Sequence, residues 1–293
     1  MIFNGLRLQR RIRDPGCRTI GEVVCMSDPA DRAAESLAAV REKQPLVHNI
    51  TNYVVMNYTA NALLACGASP VMAHAENEVE EMVSIAGALV VNIGTLEDSW
   101  IRSMLTAVRC ATELRTAVVL DPVGAGATRL RTAAAGKILA AGDIRVLRGN
   151  PSEILSLQDQ RSRTRGVDSL HSVDAAARTA RHLAAELNTT LAITGPVDLI
   201  TDGERTVRVS NGHPLMGRVT GTGCTATALI GAFSAVVPDA VDAAAAALAY
   251  FGLAAERAAL KAAGPGSFMI ALLDSLYALS PQELRSGCRI EEE

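Results

Sequence analysis

Ala88-Leu89-Val90-Val91-Asn92-Ile93-Gly94, followed after a helical stretch from about Glu97 to Leu114 by Ala117-Val118-Val119-Leu120-Asp121, decides the architecture. Both apolar runs are short and rich in β-branched residues. They are near-continuous rather than alternating, as strands buried on both faces are. Two such strands with a helix between them make a βαβ unit, and hence a parallel sheet with helices over it. Downstream the pattern repeats. Helices from about Arg131 to Ala140, opening at Pro151, and from about Val173 to Leu187 alternate with strands at Ile144-Arg145-Val146-Leu147 and Thr190-Leu191-Ala192-Ile193-Thr194. Val197 to Thr201 and Thr206 to Ser210, joined at Asp202-Gly203, read as an antiparallel hairpin. Upstream, a helix opens at Ser27-Asp28-Pro29 and runs to about Glu42. Another covers about Asn52 to Cys66 and stops at Gly67; a short extended piece begins at Val71-Met72, and a helix spans about Glu76 to Ile85. From Thr225 the chain is expected to be nearly all helix, ending in a polar Glu291-Glu292-Glu293 tail. The fold class is therefore α/β: a mostly parallel central sheet, helices on both faces, and a helical C-terminal part.

With 293 residues, half of them apolar, the chain can bury a large core. No linker or shift of composition divides it, so residues 28–293 are expected to form one domain. Residues 1–27 carry Arg7, Arg10, Arg11, Arg13 and Arg18 without the apolar stretch and cleavage site of a secretory signal. They read as a loosely ordered extension, with a basic targeting segment or a true start at Met26 as the other readings. An Arg-rich stretch near Arg161 to Arg165 reads as a loop. The slight negative charge and scarcity of aromatics point away from nucleic acid, and the apolar stretches are too broken to span a membrane. The six cysteines lack the spacing of a disulfide framework or a zinc site, which fits a cytoplasmic location.

Ligands of open parallel sheets bind outside the carboxyl ends of the strands, so the residues delivered there are the candidates. They are Asn92-Ile93-Gly94-Thr95, Asp121-Pro122-Val123-Gly124-Ala125-Gly126, Arg148-Gly149-Asn150-Pro151-Ser152-Glu153 and Thr194-Gly195. The turn Val219-Thr220-Gly221-Thr222-Gly223-Cys224 then leads into a buried helix. Taken singly, Asp121 is an ordinary strand-end cap, Glu153 a first-turn carboxylate, Arg148 a surface charge and Cys224 a small packed residue. Taken together they suit phosphoryl transfer from a nucleotide. Carboxylates hold Mg²⁺, an Arg holds polyphosphate, and the Gly221, Thr222, Gly223, Cys224 helix start forms an anion hole for the group in flight. Gly124-Ala125-Gly126-Ala127-Thr128-Arg129 misses the dinucleotide fingerprint at its last glycine, and there is no P-loop.

The ordered set of these motifs resembles the hydroxyethylthiazole kinases of thiamine salvage, within the ribokinase-like superfamily. It runs from Val47-His48-Asn49-Ile50-Thr51-Asn52 and Gly67-Ala68-Ser69-Pro70-Val71-Met72 through the strand ends above to Gly264-Pro265-Gly266-Ser267-Phe268. The resemblance implies a three-layer α/β/α fold and ATP-dependent phosphorylation of 4-methyl-5-(2-hydroxyethyl)thiazole. It implies that Asn52, Met72, Gly94 and Gly221 line the alcohol pocket and that Arg148 and Thr194 contact ATP. Asp121 and Glu153 would organise Mg²⁺, and Cys224 would stand where most of the superfamily carries an Asp base. It also implies a homotrimer with sites between subunits, leaving Asn52 and Met72 free to serve a neighbour. His48 and His213 are expected to be structural or at the pocket edge. The other readings are a kinase of another small alcohol such as hydroxymethylpyrimidine and, in a different class, a Cys-nucleophile acyltransferase or hydrolase with Cys224 activated by a histidine.

Overall fold

The computed structural model describes residues 28–161 and 173–293. The expected extension at residues 1–27, and all but Arg161 of the expected Arg-rich loop, lie outside the described residues. One sheet of nine strands runs in the order β2-β1-β3-β4-β5-β6-β7-β8-β9. Its strands are β1 (Leu46–Ile50), β2 (Ser69–Val71), β3 (Ala88–Asn92), β4 (Ala117–Asp121), β5 (Val146–Gly149), β6 (Thr190–Ile193), β7 (Asp198–Thr201), β8 (Thr206–Val209) and β9 (Ile290–Glu292). Strands β1 to β6 are parallel, whereas β7, β8 and β9 continue the sheet antiparallel.

Alternate residues of each strand face opposite layers. Val47, Val90, Val119, Val146 and Ala192 pack under α1 (Pro29–Lys43), α2 (Met56–Cys66), α8 (Thr222–Ser234), α9 (Ala240–Ala259) and α10 (Pro265–Ala278). Ile50, Leu89, Val91, Val118, Leu120 and Leu147 face the other way, towards α3 (Val79–Ile85), α4 (Asp98–Leu114), α5 (Arg129–Leu139), α6 (Pro151–Arg161) and α7 (Val173–Leu187). This is the expected three-layer α/β/α arrangement.

Two strands depart from the expectation. β1 occupies a stretch with no strand assigned from sequence, and the following helix α2 begins at Met56 rather than near Asn52. His48 and Asn49 interrupt the apolar run and hide the strand, yet both are fully buried. The expected polar tail is β9, which follows α11 (Pro281–Gly287) and pairs with β8. Its acidic residues meet arginines. Glu292 bonds Arg32 and Arg205, and Glu293 bonds Arg181 and Arg208. Strand order turns back at β1, between β2 and β3, and such a reversal opens a crevice at the carboxyl ends of the diverging strands.

Candidate functional site

Asn92 and Asp121 end β3 and β4 in register, and both point towards the layer containing α8. Asn92 donates from Nδ2 to Asp121 Oδ2 at 2.9 Å, and Thr227 on α8 donates to the same oxygen at 2.8 Å. From β5, Arg148 Nη1 approaches that oxygen at 3.5 Å, while its Nη2 donates to Thr194 Oγ1 at 2.5 Å. Asp121 is fully buried. Burial raises its pKa, and the Glu153 charge adds to that, while Arg148, Thr227 and Asn92 act downwards. Its Oδ1 is buried with no hydrogen-bond partner among the described residues. A buried carboxylate oxygen without a donor costs free energy unless something fills the place, and a hard cation or its water shell is what carboxylate oxygen suits. Asp121 therefore fits the expected Mg²⁺.

Glu153, expected to help organise Mg²⁺, is engaged with two backbone amides. Its Oε1 accepts from the Gly124 amide at 2.8 Å and its Oε2 from the Asn150 amide at 2.9 Å, while Asn150 Oδ1 accepts the Glu153 amide in return. This reciprocal cap fixes the start of α6 to the turn after β4. Each oxygen retains a further lone pair for a metal-bound water.

The start of α8 separates two sides of the site. Gly221 is its N-cap, with φ of 85°, in the left-handed region that favours glycine. A Cβ there would also lie 2.5 Å from Val55 Cγ1. At Gly223 a Cβ would lie 2.6 Å from Arg148 Nη1, so the guanidinium lies directly on the helix start. The first-turn amides of a helix have no partner within it, and such a helix start can receive an anion. On one side Thr222 and Gly223 border a cavity of about 540 Å³, whose walls include Arg148, Thr194, Gly195, Asp198, His213 and Phe251. On the other side Cys224 Sγ accepts from Asn52 Nδ2 at 3.4 Å, and Asn52 Nδ2 also donates to Asn92 Oδ1 at 2.9 Å. Burial raises the Cys224 pKa, and the Asp121 charge reinforces it; hydrogen bonds from Asn92 and Asn52 and the charge of Arg148 oppose it.

The expected site residues thus fall into groups. Arg148 and Thr194 line the cavity together; Asn52, Cys224, Asn92 and Asp121 form a connected polar row beside it. Asn52 meets Cys224 of its own chain. Gly94 packs closely on Asn52: a Cβ there would lie 2.6 Å from Asn52 Nδ2. Met72 is half-buried just beyond β2. His213 borders the cavity, as expected of a pocket-edge residue, and His48 holds the Ala73 carbonyl at 2.7 Å from Nε2. Neither acts on Cys224, whose raised pKa is the opposite of nucleophile activation. Sequence reasoning placed Asn92 among the candidates without a role and missed Thr227. Asn92 lay in a quoted strand end; Thr227 is one helical turn beyond Gly223, a spacing that could have marked it.

Residues 37–282 match the family model described as the hydroxyethylthiazole kinase family. The chain belongs to the hydroxyethylthiazole kinase family. A hydroxyethylthiazole kinase of Desulfotalea psychrophila is 62% identical over 267 residues, covering 91% of this chain and 98% of its own. The solved hydroxyethylthiazole kinase of Pyrococcus horikoshii is 50% identical, with a TM-score of 0.84 and coverage of 89% of this chain and 98% of that one. A ribokinase-like superfamily protein of Enterococcus faecalis, 12% identical, has a TM-score of 0.61 over 86% of this chain and 95% of its own, a likeness of fold alone. Membership in the kinase family leaves the Cys-nucleophile reading without support.

Proposed function

We propose that the protein transfers the γ-phosphoryl group of ATP to the hydroxyl of 4-methyl-5-(2-hydroxyethyl)thiazole. The observation that carries this reading is the position of the α8 start, with the Arg148 and Thr194 cavity on one side and Asn52 with Cys224 on the other. The polyphosphate would enter the cavity, its charge met by Arg148 and the Thr222 and Gly223 amides. The acceptor hydroxyl would approach from the Cys224 side. As its oxygen bonds to the γ-phosphorus, the bond from phosphorus to the ADP oxygen breaks, and the hydroxyl proton passes to an oxygen of the transferred phosphoryl group or to the Cys224 thiolate. Phosphoryl transfer proceeds through a loose transition state, so the proton leaves late and a weak acceptor suffices. Cys224 serves best as the group that orients the hydroxyl, taking its proton only in the thiolate form.

Mg²⁺ bound at Asp121, with Glu153 through water, would neutralise charge on the phosphates. Arg148 meanwhile keeps the Asp121 carboxylate directed at that place. We read residues 28–293 as a single kinase domain acting in the cytoplasm, and as a homotrimer, which the exposed apolar residues Val54, Leu64, Ile270 and Tyr277 on and before α2 and on α10 support. The test is incubation of the purified chain with Mg-ATP and the thiazole alcohol, followed by mass detection of its phosphate. A parallel reaction with hydroxymethylpyrimidine distinguishes the acceptors. Phosphate on the pyrimidine and none on the thiazole would overturn the reading.

A further inference from the structure

We propose that Trp100 is a positioning residue of the acceptor site, holding the Asn52 loop and the Met72 segment in one fixed relation through Tyr53 and His74. The inference rests on the reading that the acceptor lies beside Asn52 and Cys224. Trp100 stands in the first turn of α4, 4% exposed, among the core residues beneath β3 and β4. Its ring centroid lies 4.7 Å from that of Tyr53 and 4.6 Å from that of His74, with both ring pairs tilted near 45°. Tilted aromatic pairs at this separation are favourable beyond the area they bury. Tyr53 directly follows Asn52, and His74 follows Met72 by two positions. One indole therefore contacts both the loop that carries Asn52 and the segment that carries Met72, although the two lie on successive connections of the chain.

Side-chain hydrogen bonds to Asn92 and Cys224 hold Asn52 itself. The 51–55 stretch has no regular secondary structure before α2, and Tyr53 and Val54 are exposed, so Val55 is its buried apolar anchor. The Tyr53 amide also donates to Thr95 Oγ1 at 3.2 Å. The 72–75 stretch is also irregular and is held from beneath by His48 at the Ala73 carbonyl. A residue needed only for volume at position 100 would not have to face two rings. The placement of Asn52 Nδ2 against both Asn92 and Cys224 depends on where the loop beginning at Thr51 lies, and small displacements of a substrate-positioning group have large effects on rate.

The test uses Trp100→Leu, which keeps the site apolar without an aromatic ring, and Trp100→Phe, which keeps one. Trp100→Leu should raise the KM for the thiazole alcohol about tenfold while the KM for ATP stays within about twofold, and Trp100→Phe should recover most of the loss. Because Trp100 is the chain's one tryptophan, the wild-type protein also reports directly: adding the thiazole alcohol without ATP should change its fluorescence, and adding ATP alone should not. Tyr53→Ala, at an exposed position, repeats the kinetic test should Trp100→Leu fail to fold, and should raise the acceptor KM in the same selective way. Equal rises in both KM values, or an unchanged acceptor KM in Trp100→Leu or Tyr53→Ala, overturn the proposal. If the wild type itself phosphorylates no thiazole alcohol, the acceptor reading has failed instead, and the two failures are told apart by that control.

Discussion

At Cys224 the local physics pulls in two directions. A helix start favours a thiolate, but burial and the neighbouring Asp121 charge raise the thiol's pKa above its ordinary value. The thiolate fraction therefore grows only as pH rises into the alkaline range. If Cys224 takes the hydroxyl proton, kcat should climb with pH in the wild type, and Cys224→Ser and Cys224→Ala should lose that climb. Matching profiles in all three proteins would leave Cys224 an orienting contact only. Asp198, on the cavity wall, gives a stability prediction with a different sign from most carboxylates. Burial raises its pKa to about 6, although the Gly195 amide and the Arg148 charge oppose the shift. The folded state then holds a proton that the unfolded state releases near the ordinary Asp value. The associated stability is present below about pH 4 and is lost as pH rises through about 6, by about 3 kcal/mol in all. Asp198→Asn keeps an acceptor for Gly195 and should be flat across that window; urea melts of both proteins at several pH values measure the difference.

The start of α8 shows how an element can be specified by what it must avoid touching. The tight turn into α8 was legible from Gly221-Thr222-Gly223-Cys224, because glycines ahead of an apolar run mark such a turn into a helix. The reason for the second glycine was not legible, since it lies in a residue from another strand: the guanidinium of Arg148 occupies the space of a Cβ at position 223. Long-range contacts of this kind leave no periodic trace. β1 was missed because its buried His48 and Asn49 read as polar, although His48 holds the Ala73 carbonyl and Asn49 donates to the Val47 carbonyl. Gly223→Ala should displace Arg148 from both Thr194 and Asp121 while leaving the helix intact. We expect the KM for ATP to rise and kcat to fall, with a loss of at least about tenfold in kcat/KM. Circular dichroism and kinetics on the same sample check this, and unchanged kinetics would show that the guanidinium can move aside without cost.

At the level of the whole molecule, the α/β layering was readable because strands β3 to β8 and the intervening helices are short, periodic and bounded by turn residues. The C-terminal edge was not. β9 is acidic, and its pairing with β8 relies on arginines from α1, α7, β8 and the preceding turn. The surface of α2 and α10 poses the remaining question of assembly. Leu64, Ile270 and Tyr277 are 59%, 63% and 76% exposed, and α2 and α10 are joined where Tyr58 Oη donates to the Met269 carbonyl at 3.0 Å. Large apolar side chains clustered on neighbouring helices favour association, and Val54 extends the cluster towards Asn52. A homotrimer formed through this face would sediment at three times the 30.7 kDa of the chain. Ile270→Glu combined with Tyr277→Glu places like charges on both partners of any such contact and touches no residue of the site. The double variant should sediment as a monomer, and if sites lie between subunits, its acceptor KM should rise by about tenfold or more. Sedimentation that is the same for wild type and variant would place the interface elsewhere, while a fully active monomer would show that each chain carries a complete site.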